Sequence, residues 1–191
     1  MQRFDPIKYP DAGTPLAEMY KMIVEGGGQG AEEGVPTNYV TSMGQRPDLL
    51  GGVMGMAGAI FYEGQIPMTV KQMIGMAIAI LHDCRYCATG TRRALEAMGV
   101  PVEVIESCAS DPEFSALPPS QRAILKFALK ADKSAASLTD DDFQTMYDFG
   151  FSEEEVIEIL MIVASARFND FWADVSQISL DGEEEAVSAA A

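Results

Sequence analysis

Apolar residues recur at helical spacing along most of this chain, and no segment alternates apolar with polar residues as a half-buried strand does. From Pro47 to Tyr62 the leucine, valine, methionine and isoleucine positions share one face of a helix. Met73 to Leu81 is apolar on nearly all sides, which predicts a central, buried helix. The sequence therefore predicts an all-α domain of about eight helices.

Capping residues mark where several of these helices begin. Ser152 and Glu155 form a capping box for the last long helix, which is predicted from Glu153 to about Ser179. Thr69 and Gln72 have the same spacing ahead of the central apolar helix. The other predicted helices cover Pro15 to Val24 with Thr14 as N-cap, Val35 to Met43, Cys84 to about Met98, Val102 to Cys108, Ser120 to Ala131, and Thr139 or Asp140 to Gly150.

The predicted domain organisation has three parts. Residues 1–34 hold one helix and a flexible glycine-rich loop, residues 35–180 form the all-α domain, and residues 181–191 are a disordered acidic and alanine-rich tail. The loop is not a dinucleotide-binding fingerprint, because no strand precedes it.

The formal net charge of −16 excludes several classes of partner. Nothing in the sequence neutralises phosphates along a nucleic-acid groove, and the charge disfavours an anionic membrane surface. The longest apolar stretch is about half of the ~20 residues that a membrane span needs. The polar, proline-interrupted N-terminus is unlike a signal peptide. We therefore expect a cytoplasmic protein that binds neither nucleic acid nor membrane.

Cys84 and Cys87 stand three residues apart, directly after the central apolar helix. With Asp83 as the predicted N-cap, both sulfurs lie on the first turn of the next helix, close enough for a disulfide. Unpaired N–H groups at a helix start favour a thiolate, and Arg85 adds positive charge. In a cytoplasmic protein this pair indicates redox or metal chemistry more often than a structural disulfide.

Other interpretations of the cysteines carry less weight. Cys84 and Cys87 are alternatively two small, buried apolar side chains. A zinc site is disfavoured because it normally has four ligands, whereas the chain has one histidine and no second Cys-x-x-Cys motif. We therefore predict no metal and no cofactor. Cys108 stands alone and is interpreted as a packing residue.

Several motifs occur in a characteristic order between about residues 35 and 180. They are Arg46-Pro47-Asp48-Leu49-Leu50, Ile66-Pro67, Cys84-Arg85-Tyr86-Cys87, Phe127-Ala128-Leu129-Lys130, Leu138-Thr139-Asp140-Asp141-Asp142, Phe149-Gly150-Phe151-Ser152 with the acidic run that follows, and Ala166-Arg167-Phe168-Asn169-Asp170-Phe171. In these motifs the chain resembles the carboxymuconolactone decarboxylase superfamily. The resemblance is to the branch of AhpD-like alkylhydroperoxidases and peroxidase-related proteins.

The resemblance implies an all-α fold that assembles as dimers, trimers or hexamers. It implies a peroxidase in which Cys87 attacks a hydroperoxide or small disulfide and Cys84 resolves the product. A dithiol protein or a small thiol then reduces the pair. The family pattern adds a proton-relaying Glu twelve residues before the first cysteine and a His four residues after the second. These positions hold Gln72 and Thr91 here.

The two departures keep alternative functions open. Gln72 exchanges no proton near neutral pH, and Thr91 is no general base. The loss of a general acid or base removes ~10²–10⁴ in rate. A non-catalytic oligomeric member of the superfamily is therefore the second hypothesis. Lactone or decarboxylase chemistry ranks last, because that branch is not marked by a Cys-x-x-Cys motif.

Four side chains near the thiols are candidate proton relays or substrate contacts. His82, the single histidine, either replaces the missing base or is a helix-end residue bonded to backbone. Gln72 is either a polar partner of the thiols or a capping residue. Thr91 either orients water or substrate, or bonds its own helix backbone. Tyr86 either donates a hydrogen bond or packs.

The sequence predicts less specific roles for polar residues elsewhere. Asn169, Asp170 and Trp172 interrupt an apolar stretch of the last helix, so they are expected to line a pocket or a subunit interface. Arg92 and Arg93 are expected to form a solvated or interfacial patch.

Overall fold

A computed structural model of the chain describes residues 2–26 and 34–183. These residues form nine α-helices, one short 3₁₀ turn and no β-strand, which confirms the predicted all-α class. The helices are α1 Pro15–Glu25, α2 Asn38–Ser42, α3 Pro47–Tyr62, α4 Met68–Leu81, α5 Arg85–Ala97, α6 Val102–Ser110, α7 Pro119–Lys133, α8 Asp140–Asp148 and α9 Glu153–Ser176. Most of the glycine-rich loop and of the acidic tail lies outside the described residues.

The chain divides into two compact units. One unit contains Met1–Met56 and Trp172–Ala191, and the other is continuous from Ala57 to Phe171. Helices α3 and α9 therefore contribute residues to both units. No described helix combines the length and the apolar content that a bilayer crossing requires.

Local capping sets the helix ends much as the sequence predicts. Thr139 and Asp142 form a capping box at α8. At α9 the Ser152 N–H donates to Glu155 Oε2 at 2.8 Å, and the Glu155 N–H donates to Ser152 Oγ at 3.2 Å. Gly150, with φ of 89°, follows α8 in the left-handed region that glycine adopts without steric cost.

The predicted capping box of Thr69 and Gln72 is wrong. Helix α4 begins earlier, at Met68, and the carbonyl of Pro67 accepts from the N–H groups of Val70 and Lys71 at 2.9 and 3.1 Å. Pro67 is the N-cap of α4: its ψ of 139° keeps it outside the helix, while its carbonyl accepts the first hydrogen bonds of the helix.

Helix α4 is the centre of the second unit and packs against α5, α6 and α7. Its Ile74 and Ile78 are fully buried, as are Leu95 of α5 and Ile159 of α9. All four belong to one hydrophobic cluster, so α4 is central as predicted. The predicted burial does not extend to the end of the run, because Ile80 and Leu81 are exposed. This core fixes α4 and α5, and with them Cys84 at the N-cap of α5 and Cys87 in its first turn.

The first unit has its own small core. Leu16, Tyr20 and Leu50 are buried in it, and the Tyr20 hydroxyl donates to the Ile7 carbonyl at 2.8 Å. Trp172 packs there as well: its ring stacks on Phe4 at 5.6 Å, and its Nε1 donates to Ser42 Oγ at 2.9 Å. Trp172 therefore has a structural role within this unit.

A buried ion pair lies inside the second unit. Lys71, 1% exposed, places its Nζ 2.6 Å from Glu158 Oε1 and 2.5 Å from the Ile60 carbonyl. Glu158 also accepts from the N–H groups of Gln65, at 2.7 Å, and Ile66. One carboxylate thus holds α4, α9 and the α3–α4 connection together.

Gly64 is required by this arrangement, because a Cβ at that position would overlap the Glu158 carboxylate. We expect Gly64→Ala to push Glu158 away from Lys71 and to lower the free energy of unfolding by about 1–3 kcal/mol. Gly52→Ala is the control, because that helical glycine has open space around it and alanine favours the helix. Urea unfolding of both variants measures the difference, and equal stability would contradict the proposed overlap.

Candidate functional site

The chain enters the cysteine pair through a sharp break between α4 and α5. Asp83 has φ of 57°, and the Cys84 N–H donates to the Ala79 carbonyl at 2.8 Å. Asp83 thus lies just after the end of α4 in the left-handed conformation, which a short polar side chain tolerates. The predicted N-cap role of Asp83 is wrong, and Cys84 itself is the N-cap of α5.

The two sulfurs meet at the first turn of α5, and their environments differ. Cys84 is fully buried, and its Sγ accepts from the Cys87 N–H at 3.4 Å. Cys87 is only partly buried. Both thiols are free. A reactant therefore reaches Cys87 more directly than Cys84.

Asp170 of α9 completes the site. This residue is 3% exposed, and one carboxylate oxygen and the two cysteine sulfurs all lie within 4.8 Å of one another. The sequence marked Asp170 only as a polar residue in an apolar stretch. The missing information was which helix faces the cysteines, because Asp170 is far from them in the chain.

The surroundings of Cys87 disfavour its thiolate. Its hydrogen bond with Cys84, its burial and the nearby negative charges of Cys84 and Asp170 raise the pKa of the Cys87 thiol well above its ordinary value. The expectation that the helix start favours a thiolate therefore does not hold for Cys87. Cys84, not Cys87, occupies the N-cap position of α5, where its Sγ accepts from the Cys87 N–H.

His82 is bound to a carboxylate rather than to backbone. Its Nε2 lies 2.8 Å from Asp132 Oδ2, and the Asp132 side chain is fully buried. Arg167 supports the same aspartate, since its Nη1 donates to the Asp132 carbonyl at 2.7 Å. Among the described residues, the set of mutually close ligand atoms contains both cysteines and Asp170 but not His82.

The two positions at which the resemblance implies proton-relaying residues make local contacts. Thr91 Oγ1 donates to the Cys87 carbonyl at 2.8 Å, which is the backbone bond that one interpretation predicted. Gln72 is half-buried, and its Nε2 contacts Met68 Sδ at 3.8 Å. Tyr86 is also half-buried beside the thiols in sequence. None of these contacts supplies a group that exchanges protons near neutral pH.

The remaining candidates have simpler environments. Cys108 is buried in the core, and burial raises the pKa of its thiol to about 11, as suits a packing residue. Arg92 pairs with Glu106 at 2.9 Å on the surface of the second unit. These contacts give neither residue a part in the cysteine site.

Comparisons with known proteins agree with this fold and motif order. Residues 47–130 match the model of the carboxymuconolactone decarboxylase family. No curated protein matches the sequence.

Three solved structures resemble the chain along nearly its whole length. An AhpD-core, peroxidase-related protein from Ralstonia eutropha JMP134 has 22% identity and a TM-score of 0.77, with 94% of this chain and 95% of that chain covered. A peroxidase-related protein from Silicibacter sp. TM1040 has 17% identity and a TM-score of 0.80, with 96% of each covered. A variant of the debrominase Bmp8 with one cysteine replaced by alanine, in complex with 2,3,4-tribromopyrrole, has 22% identity and a TM-score of 0.74, with 100% of this chain and 99% of that chain covered.

The family match runs from α3 into α7 and includes the cysteine pair, but it ends before α8 and α9. The structural matches cover 94% and 96% of the chain. The chain is therefore similar to the carboxymuconolactone decarboxylase family over residues 47–130 and has the fold of the AhpD-like structures it resembles.

Proposed function

We propose that the protein is a thiol-disulfide oxidoreductase that reduces hydroperoxides through Cys87 and Cys84, with Asp170 as the proton carrier. The observation that supports this most directly is the close approach of two free sulfurs and one carboxylate. Two thiols supply the two electrons that a peroxide bond takes up. Asp170 supplies a titratable group that neither Gln72 nor Thr91 provides.

In the first step Cys87 transfers its proton to the Asp170 carboxylate, and the thiolate attacks the outer oxygen of the hydroperoxide. A sulfur–oxygen bond forms, the oxygen–oxygen bond breaks, and Asp170 returns the proton to the departing alkoxide. The products are an alcohol and a sulfenic acid on Cys87. Proton transfer is needed because the Cys87 pKa is raised in this environment.

In the second step the Cys84 sulfur attacks the Cys87 sulfur. A disulfide forms, the sulfur–oxygen bond breaks, and water leaves with the proton of the Cys84 thiol. The assignment of Cys84 as the resolving thiol follows from its full burial, which shields it from a bulky reactant. An external dithiol protein or small thiol then reduces the disulfide by exchange.

The predicted homo-oligomer remains part of this proposal. Large apolar side chains at Ile157, Met161, Phe168 and Phe171 of α9 are 36–65% exposed. Their spacing places them on one side of the helix, so an apolar contact with a second copy would cover them.

Titration of free thiols under one equivalent of hydroperoxide tests the mechanism. We expect two of the three thiols to disappear together while Cys108 stays reduced. Recovery of both thiols with a dithiol would complete the cycle. If no thiol is lost, the alternative of a non-catalytic family member gains support. If one thiol is lost without its partner, the disulfide step is wrong.

Reductive dehalogenation is a second candidate, because the debrominase resembles this chain from end to end. The same dithiol would replace a carbon–halogen bond by carbon–hydrogen, release the hydrogen halide and form the disulfide. Incubation of the reduced protein with a brominated pyrrole, with bromide release as the readout, separates this candidate from peroxide reduction. Bromide release without peroxide-dependent thiol loss would favour dehalogenation.

Asp170→Asn tests the proton carrier. The amide keeps the size of the side chain but cannot accept the Cys87 proton, so we expect peroxide-dependent thiol loss to slow by ~10²-fold or more. Stopped-flow measurement of the rate of thiol loss over a range of pH separates proton transfer by Asp170 from repulsion of the thiolate by its negative charge. If the charge of Asp170 only repels a thiolate, the variant reacts faster at every pH, which would contradict the assignment. Asp174→Asn, an exposed carboxylate on the same helix, is the matched control.

A further inference from the structure

The cysteine site combines donor atoms that also suit a metal ion. Two sulfurs and one carboxylate oxygen lie within 4.8 Å of one another, and they come from α9 and from the first turn of α5 with its N-cap. The Cys-x-x-Cys spacing in the sequence identifies only two of these donors, too few for a zinc site. The third donor, Asp170, is nearly fully buried beside the sulfurs.

The separations are close to those of a zinc site. With Zn–S bonds of about 2.3 Å and Zn–O bonds of about 2.0–2.2 Å, tetrahedral donors stand roughly 3.5–3.8 Å apart. The three donors here lie within 4.8 Å of one another, so side-chain adjustments of roughly 1 Å would bring them to that spacing.

We propose that the reduced protein binds one Zn²⁺ ion through the sulfurs of Cys84 and Cys87 and a carboxylate oxygen of Asp170, and that this binding competes with disulfide formation. Thiolate donors select a borderline-soft cation such as Zn²⁺ over Mg²⁺ or Ca²⁺, which take oxygen donors. Three protein ligands leave the fourth tetrahedral position for water or an added ligand. Cys87 is partly exposed, so an ion can enter from its side.

Competition with the disulfide follows from bond lengths and from electron balance. A disulfide holds its sulfurs about 2.05 Å apart, which is too close for both to bind one zinc ion in a tetrahedral site. Binding of Zn²⁺ to the dithiol releases two protons. A hydroperoxide and two protons then convert the zinc dithiolate to the disulfide, an alcohol, water and free Zn²⁺. The metal would therefore hold the pair reduced, and oxidation would release it.

The test uses the full-length, fully reduced protein under anaerobic conditions, with Zn²⁺ in competition against a chromogenic chelator and Co²⁺ as the optical probe. We expect one ion per chain and sulfur-to-cobalt charge-transfer bands. Stoichiometric Zn²⁺ binding and the cobalt bands should both be lost in Cys84→Ser and in Cys87→Ser. The affinity for Zn²⁺ should fall roughly tenfold or more in Asp170→Asn. Cys108→Ser is the matched control and should bind as the wild type does.

Three results would overturn the proposal. They are no stoichiometric binding by the reduced wild type, binding that survives replacement of both Cys84 and Cys87, and an Asp170→Asn variant that binds as tightly as the wild type. Prior oxidation to the disulfide should abolish binding, and undiminished binding would contradict the competition. No peroxide is present in the binding assay, so a failure of metal binding is distinguishable from a failure of the proposed peroxide chemistry.

Discussion

Replacement of Cys87 by serine is expected to reduce hydroperoxide turnover by on the order of 10⁴-fold or more, because removal of a covalent nucleophile leaves only the uncatalysed background. The serine hydroxyl fits the half-buried position of the thiol but is not oxidised by peroxide. Peroxide consumption in the presence of excess dithiol measures the effect. Turnover close to the wild-type rate would show that Cys87 is not the attacking thiol.

Cys84→Ser should give a different result under the same conditions. Cys87 should still react once with peroxide, but its sulfenic acid should persist because no resolving sulfur is within reach. A sulfenic-acid-selective reagent and mass spectrometry detect this product. Cys108→Ser controls for the loss of a buried cysteine away from the site, and it should turn over peroxide like the wild type.

The second large effect concerns stability. Lys71→Met should lower the free energy of unfolding by about 3–5 kcal/mol, because it leaves the Glu158 carboxylate without its buried partner. The Lys71 side chain is 1% exposed and that of Glu158 is 12% exposed, so water replaces little of the lost interaction. Urea unfolding followed by circular dichroism measures the change. Lys130→Met, in an exposed pair with Asp142, is the control and should have a much smaller effect.

The contribution of Glu158 should also depend on pH. Burial by itself raises the pKa of Glu158, but hydrogen bonds from Lys71 and from the Gln65 and Ile66 N–H groups outweigh it and lower that pKa overall. The stabilisation is therefore fully present above the unfolded pKa of about 4.3 and is lost as the pH falls through the lower folded value. The stability difference between wild type and Glu158→Gln should be constant near neutral pH and shrink in acid. A difference that grows in acid would contradict this sign.

Local sequence signals predicted the helical architecture well. The Ser152–Glu155 and Thr139 caps, the boundaries of α3 and the glycine that ends α8 depend on residues within one or two turns of each other. The starts of α4 and α5 were placed incorrectly. At both starts several nearby residues can cap, and the conformation of the preceding segment decides among them. Pro67 is the N-cap of α4, and Asp83, in the left-handed conformation, follows the end of that helix.

The sequence by itself determined the all-α class, the central position of α4 and the adjacency of Cys84 to Cys87. Each of these follows from periodicity or from a spacing of a few residues. Only the tertiary structure decided that Asp170 lies beside the thiols, that His82 pairs with Asp132 and that Lys71 is buried against Glu158. The physical reason is that each contact joins residues far apart in the chain, and helix packing, which local spacing does not encode, selects which faces meet.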